Sequence, residues 1–474
     1  VDWFDAGDYT LSRLLFTEGL AVVYLCAFLV AVDQFRALLG DDGMLPIRRF
    51  LAGRRWQRSP SLFHLHWSDR FYVVVCWTGV GLSVLAVLGL VQRLPLPLCM
   101  LAWLVLWGLY LSIVNVGQLW YSFGWESLLL EVGLLAVFVG NTATAPALPT
   151  LLLVRWLLFR LEFGAGLIKI RGDPCWRDFT CLDYHHETQP MPGPLSWYFH
   201  RLPRPLHRIE VAGNHTTQLI VPFFLFAPQP VAGGAAAIMI VTQLWLVASG
   251  NFAWLNWLAI VLGVSVLPDG FWSAVLPIPA PTTAPLWFVV VVAAFAAAVL
   301  VLSYRPARNL FSSGQMMNAS FEPWHLVNTY GAFGHVTRTR REIVVEGTTD
   351  THPTPESRWV AYEFKGKPGD VRYRPRQFAP YHLRLDWLMW FAAISPDYAA
   401  PWFGGFVTRL LLGDHDTLHL LRHNPFPETP PAWVRARVFR YRYSTRDEHR
   451  QTGAWWVRTY EADFMPAVSL RQVR

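Results

Sequence analysis

The stretch RWLLFRLEFGAGLIKIRGDPCWRDFTCLDYHHETQPMPGPLSWY, residues 155–198, joins an apolar helix to a polar, aromatic connector. Arg155, Glu162 and Lys169 recur every seven residues within the helix. At about 100° per residue they share one stripe spanning roughly 21 Å of helix. Ionisable groups at membrane depth are costly, so they face a bundle interior, a partner charge or a wet cavity. The connector is too dense in His, Asp, Trp and Pro to be an idle linker. A working site is expected at this junction.

The composition around it is that of a membrane protein with a soluble part. Hydrophobic residues make up 53% of the 474 and charged ones only 15%, with 24 Trp and 31 Phe. The net charge of +7 is spread through loops and the C-terminal half. No Lys/Arg run interleaves with aromatics, which excludes a nucleic-acid groove and leaves a membrane-surface bias. Lys169, Lys365 and Lys367 are the only lysines among 40 basic residues. This Arg-rich, Ala-rich usage points to a GC-rich genome and a bacterial source.

Apolar segments near 13–35, 71–91, 96–114, 126–140, 149–169, 231–249, 252–267 and 286–303 are long enough, or nearly so, to span a bilayer. A further piece near 216–227 ends at FAPQP and reads as re-entrant or as an irregular helix. The expected fold is a polytopic α-helical bundle of eight or nine spans over residues 1–303, interrupted by polar connectors at 36–70 and 170–215. Residues 304–474 read as a β-rich soluble domain. Strands are expected at 341–347, 359–364, 434–444 and 453–464, and amphipathic helices at 383–394 and 406–413. Arg-rich connectors, with Arg305 and Arg308, favour a cytoplasmic side for all three polar regions and leave the acidic Asp2, Asp5 and Asp8 outside. The start, VDWFDAGDYT, lacks a basic n-region, so no cleavable signal is expected.

The stripe has two readings. In the first it is a buried ladder pairing with Glu131 on the preceding span, which specifies packing without chemistry. In the second, a desolvated Lys169 serves as a base, and GAG at 164–166 lets a helix or ligand approach closely. The connector's His185, His186 and Glu187 do not suggest a metal, because adjacent histidines point apart and no HxxxH or HExxH spacing supports them. His64 and His66 lack a third ligand. No metal is therefore expected. PMPGPLSWY predicts an extended turn with Trp197 and Tyr198 at headgroup level.

A second polar patch gathers Gln118, Trp120, Tyr121, Trp125, Glu126 and Glu131, with the aromatics as interface anchors and the carboxylates as intramembrane charges. Cys26, Cys76 and Cys99 lie in apolar helices as small hydrophobes. Cys175 and Cys181 are free or form a disulfide, according to the compartment. The sequons at Asn214 and Asn318 read as chance matches. No nucleophile elbow, Walker motif or dinucleotide fingerprint is present, and Ser196 and His200 have no acid that the sequence assigns to them.

Taken together, the chain resembles the lipase maturation factor family over nearly its whole length. The resemblance is carried by GQLWYSFGWESLLLE (117–131), LEFGAGLIKIRGDPCW (161–176), CLDYHHETQPMPGPLSWY (181–198) and GNFAWLNWLAIVL (250–262). NTYGAFGHVT (328–337), WVAYEFKGKPGD (359–370), APYHLRLDWLMWFAAI (379–394), NPFP (424–427) and MPAVSL (465–470) continue it. It implies a non-enzymatic, chaperone-like membrane factor whose partners are secreted lipase-like clients and membrane lipids. It also implies an endoplasmic reticulum membrane in eukaryotes and a plasma membrane in a bacterium, with the long connector and C-terminal domain on the outer face. That opposes the positive-inside reading. The family carries no established catalytic residues.

AGLIKIRGDPCW is also similar to the helix end of the vitamin K-dependent γ-carboxylase, or HTTM, superfamily. Lys169 falls at that family's catalytic lysine and Trp176 at the tryptophan that follows, although the His-His-Glu run departs from its pattern. This second resemblance implies an alternative, an intramembrane enzyme acting on a quinone-like or lipid ligand. Lys169 would be its base, with Glu162, His185 and Glu187 as proton partners.

Overall fold

The computed structural model describes residues 3–272 and 281–473, except the side chain of Val473; Asp2 lies outside the described residues. Five helices among these are long and apolar enough to cross a membrane: Gly7–Leu38, Asp69–Val87, Leu96–Val116, Val231–Ser249 and Leu286–Leu310. Their outer faces carry bare apolar side chains, among them Trp77, Leu85, Leu101, Val241 and Val301. Such a surface is unfavourable in water and matched to lipid tails. The principal helices are α1 (Thr10–Leu38), α2 (Asp69–Val87) and α3 (Leu96–Val116).

The other apolar segments take shorter or more polar forms. Segment 126–140 becomes α4 (Gly124–Ala136), 13 residues long. Segment 149–169 becomes α5 (Leu148–Arg171), which has the length to span but carries Arg155, Arg160, Glu162 and Lys169, all buried.

The connector at 170–215 is folded. It forms a turn of helix at Pro174–Arg177, then α6 (Leu182–Thr188), a short helix at Ser196–His200, and α7 (Arg204–Leu219). Asp173 starts it by accepting from the Cys175 amide at 3.0 Å, with Pro174 at the first helical position. The apolar piece at 216–227 divides between the end of α7 and a 3₁₀ turn at Val221–Phe226. After α8 (Val231–Ser249), segment 252–267 yields the ten-residue α9 (Leu255–Val264), and α10 (Leu286–Leu302) follows.

The C-terminal region is built on a four-stranded antiparallel sheet in the order β2-β1-β5-β6. Its strands are β1 (Arg340–Thr348), β2 (Val360–Ala361), β5 (Trp433–Tyr443) and β6 (Trp456–Ser469). The predicted strand 359–364 is broken, because its second half, β3 (Glu363–Phe364), leaves the sheet to pair with β4 (Leu421–His423). β1 and β5 run in continuous register from Arg340↔Tyr441 to Thr348↔Trp433. Cross-strand charge holds this pairing, with Glu346 taking Arg435 at 2.8 Å and Arg437 at 2.7 Å. α11 (Arg384–Ile394) packs against β1, and α12 (Phe403–Leu411) against β5.

Buried polar contacts lock the sheet region to the bundle. Arg340 pairs with Glu342 at 2.6 Å and donates to the carbonyls of Glu187, Gln189 and Pro190, so the first residue of β1 clasps the connector. Lys367 closes on the other carboxylate oxygen of Glu342. Asn251 accepts from the amides of Phe378 and Ala379 and donates to the carbonyls of Pro192 and Arg376.

Four aromatic residues expected at the membrane interface are buried instead. Trp197 is not an interface anchor, since it is buried against the sheet and donates to the Ser444 carbonyl at 3.1 Å. Trp120, Tyr121 and Trp125 are core residues, not headgroup anchors. In each case the covering C-terminal region, remote in sequence, takes the place of lipid.

Candidate functional site

A cavity of about 1080 Å³ lies where α5, α6, α7, α8 and residues 331–335 meet. Close approach on its α5 side depends on glycine. A Cβ on Gly164 would lie 2.5 Å from the Tyr330 carbonyl oxygen, and one on Gly166 would lie 2.7 Å from Leu219. These glycines bring the 328–335 segment and α7 tight against α5 on either side of the stripe.

Lys169 faces this cavity. Its ammonium donates to Asn214 Oδ1 at 2.8 Å and Gln218 Oε1 at 2.9 Å, and it sits 4.8 Å from the Trp176 ring centroid. Gln218 passes the chain on, donating through Nε2 to Glu162 Oε2 at 3.1 Å. Gln243 donates to Glu162 Oε1 at 2.6 Å, and Asn256 donates to Gln243 at 2.6 Å. The stripe's acid and base are thus joined through an amide, and neither is left unsolvated. Asn214, which the sequence marks as an idle sequon, is a direct partner of Lys169.

The ladder with Glu131 does not form. Glu131 pairs instead with Arg160, and accepts from the Asn328 amide at 3.0 Å, the Asn328 side chain at 3.0 Å and the Tyr330 hydroxyl at 2.7 Å. Arg160 is five residues beyond Arg155 and therefore on another face of α5. Arg155 points elsewhere, donating to the Leu225 carbonyl at 3.2 Å and the Tyr9 hydroxyl at 3.0 Å. Glu126 is closed off as well, by Arg384 at 2.7 Å, the Tyr110 hydroxyl at 2.5 Å and His382 at 3.6 Å. Gln118 donates to the Leu45 carbonyl at 2.8 Å.

Of the proton partners named for Lys169, two share its cavity. Glu162 does, and so does His185, which packs edge-on to Phe333 at 5.1 Å. Burial, with His186 and Lys169 nearby, pushes the His185 pKa down to about 3, so its imidazole is neutral at physiological pH and a weak proton acceptor. Glu187 is not in the cavity wall. Its carboxylate accepts from the Tyr443 amide at 2.8 Å and lies 3.6 Å from His200, fastening the connector to β5. His64 and His66 stand apart from the cavity, engaged with the Ser59 carbonyl at 3.0 Å and the Ser68 hydroxyl at 3.4 Å. Ser196 is structural, donating to the Ser249 carbonyl at 2.6 Å.

Sequence reasoning passed over the α7 residues that complete the site. His207 and Glu210 are three apart on one helical face and close on His186 of α6. Their spacing was visible in the sequence; their convergence on His186 needed the folded connector. Cys175 and Cys181, at the mouth of that connector, are joined in a disulfide with Cα atoms 4.7 Å apart.

Comparison with known proteins agrees with this architecture. Residues 11–274 match the lipase maturation factor transmembrane domain, and residues 326–466 match the lipase maturation factor C-terminal domain. The chain is 39% identical to lipase maturation factor 1 of Mus musculus and 40% identical to that of Homo sapiens, covering 99% of this chain and 89% of each relative. It is 30% identical to lipase maturation factor 2 of Gallus gallus, over 97% of this chain and 81% of the relative. No solved structure matches. With both characteristic domains present in order and near-complete coverage, the chain belongs to the lipase maturation factor family.

Proposed function

We propose that this chain is an integral membrane maturation factor for secreted lipase-like enzymes. The observation carrying this reading is its likeness, from end to end, to relatives named lipase maturation factor. In this reading residues 1–303 form the membrane unit, with α4, α5 and α9 at membrane depth beside the five long apolar helices. Residues 304–474, clasped to the connector through Arg340 and Asn251, form the client-facing unit. The experiment is deletion in the source organism, followed by assay of secreted lipase-type activity. Lower activity at unchanged transcript level is expected; an unchanged secretome refutes the reading.

We further place the connector and the sheet on the outer face of the membrane, which in a bacterium is the plasma membrane. The Cys175–Cys181 disulfide supports this side, since such bonds persist in oxidising compartments. The Arg-rich connectors argue the other way, but charge bias governs short loops more than whole domains. A single cysteine placed at Asp350 should react with an impermeant thiol reagent in intact cells. Labelling only after lysis overturns the assignment.

The cavity favours a second reading of its own contents. An apolar wall around the Lys169–Gln218–Glu162 network suits a lipid-like molecule with a polar head, held as a structural or regulatory ligand. The comparisons lend no support to an enzyme, and Lys169 is already engaged by two amides. Mass spectrometry of lipids co-purifying with the wild type and with Lys169→Met tests this: a species enriched only in the wild type supports it, and identical lipid profiles refute it.

A further inference from the structure

We propose that His186, His207 and Glu210 form a binding site for a divalent transition-metal ion of the zinc type, set in the cavity wall. One ligand-capable atom from each residue lies within 4.8 Å of the others. His186 comes from α6, while His207 and Glu210 come from one face of α7, so an ion here would pin the connector's two helices together.

The donor atoms needed are the ones left over. Among the described residues, neither ring nitrogen of His186 has a hydrogen-bond partner, although the residue is buried. His186 Nε2 is 3.8 Å from Glu210 Oε1, beyond hydrogen-bond range. His207 Nδ1 is likewise buried without a partner. Glu210 Oε1 accepts from Trp245 Nε1 at 2.7 Å, leaving Oε2 without a partner.

This is the pattern of a metal site with outer support. Trp245 holds the Glu210 carboxylate through Oε1, the oxygen nearest His186 Nε2, and so orients this ligand from outside. Buried donors and acceptors are rarely left unmatched, and here three residues leave theirs side by side.

Two imidazoles and a carboxylate suit zinc or a similar borderline ion better than calcium or magnesium, which prefer all-oxygen sets. Bonds of about 2.0–2.1 Å place tetrahedral ligand atoms roughly 3.3 Å apart. Binding an ion would draw the ligand atoms in from their present spacing. Three protein ligands leave a fourth position, and His186 and Glu210 both line the cavity.

The inference goes beyond the maturation reading and its test needs no client. The full-length protein, purified without a metal-affinity tag and stripped with chelator, is equilibrated with Zn(II) or Co(II). One equivalent of zinc per chain and a visible Co(II) spectrum of tetrahedral intensity are expected. His207→Asn and Glu210→Gln should each weaken zinc binding at least ~10-fold, and Trp245→Phe should weaken it while keeping all three ligands. His64→Asn, remote from the site, should leave binding unchanged. Folded wild type that binds no stoichiometric zinc overturns the proposal, as does zinc binding indifferent to His207→Asn and Glu210→Gln. If those variants do not fold, the wild-type stoichiometry and Co(II) spectrum decide it alone.

Discussion

Two sets of buried charges share this molecule, and they are solved differently. Glu126 with Arg384, and Glu131 with Arg160, are direct ion pairs sealed in the core. Arg384 is packed against Tyr121, 3.5 Å from its ring centroid, so the rest of its guanidinium faces an aromatic surface. Lys169 and Glu162 are equally buried, but they are separated by Gln218 and turned toward a cavity. Direct pairs fix the fold, whereas amide-separated charges keep polar capacity available at a surface that something can occupy. Burial alone does not distinguish a structural charge from a functional one; what stands next to it does.

The sharpest way to break this comparison is Arg384→Ala. It strands Glu126 in a dry core and should cost about 3–5 kcal/mol, enough to abolish a stable protein in detergent. The double variant Glu126→Gln/Arg384→Met removes both charges and should recover much of the loss. Thermal unfolding followed by tryptophan fluorescence measures both. A wild-type midpoint for Arg384→Ala would show that the pair carries no structural weight.

Gly164→Ala tests the seam between α5 and the 328–335 segment. The new methyl would meet a backbone carbonyl, which cannot swing aside as a side chain can, so a loss of about 1–3 kcal/mol is expected. Lys169→Met comes next. Met keeps most of the volume, and the amides around it can re-pair, so stability should change by no more than about 1 kcal/mol. Its effect should fall on cavity contents instead. A collapse of Lys169→Met comparable to that of Arg384→Ala would erase the distinction between the two sets.

The division between what the sequence reveals and what it conceals follows the same physics. Apolar length marked α1, α2, α3, α8 and α10, and β-branched and aromatic content with partial alternation marked β1 and β5 closely and β6 less so, its end lying five residues beyond the expected one, because these are local patterns. The Lys169 stripe was legible for the same reason. The partner of Glu131 was not, since α5 offers Arg155, Arg160 and Lys169 and only the packing selects one. Glu126 and Arg384 lie 258 residues apart, and no periodicity links them. Trp197 reads as an interface residue until the sheet that buries it is in place.

The gentlest test concerns the connector's entry, where Asp173 receives Arg338 through two bonds, at 2.7 Å and 2.9 Å. The Arg338 guanidinium, ahead of the Cys175 and Val336 amides, holds the Asp173 carboxyl well below the usual carboxylate range. A carboxylate with a depressed folded pKa contributes stability that is present above its unfolded value, near ~3.9, and is lost as pH falls through the folded value. Stability from this group should therefore be level from neutral pH down to roughly pH 5 and decline only in stronger acid. Arg338 is nearly half exposed, so solvent screens the pair and the effect is small. Arg338→Met should flatten the acid limb of the melting profile slightly and leave the neutral plateau lower. An unchanged acid limb would mean that the amides at the helix start, and not the arginine, set the charge of Asp173.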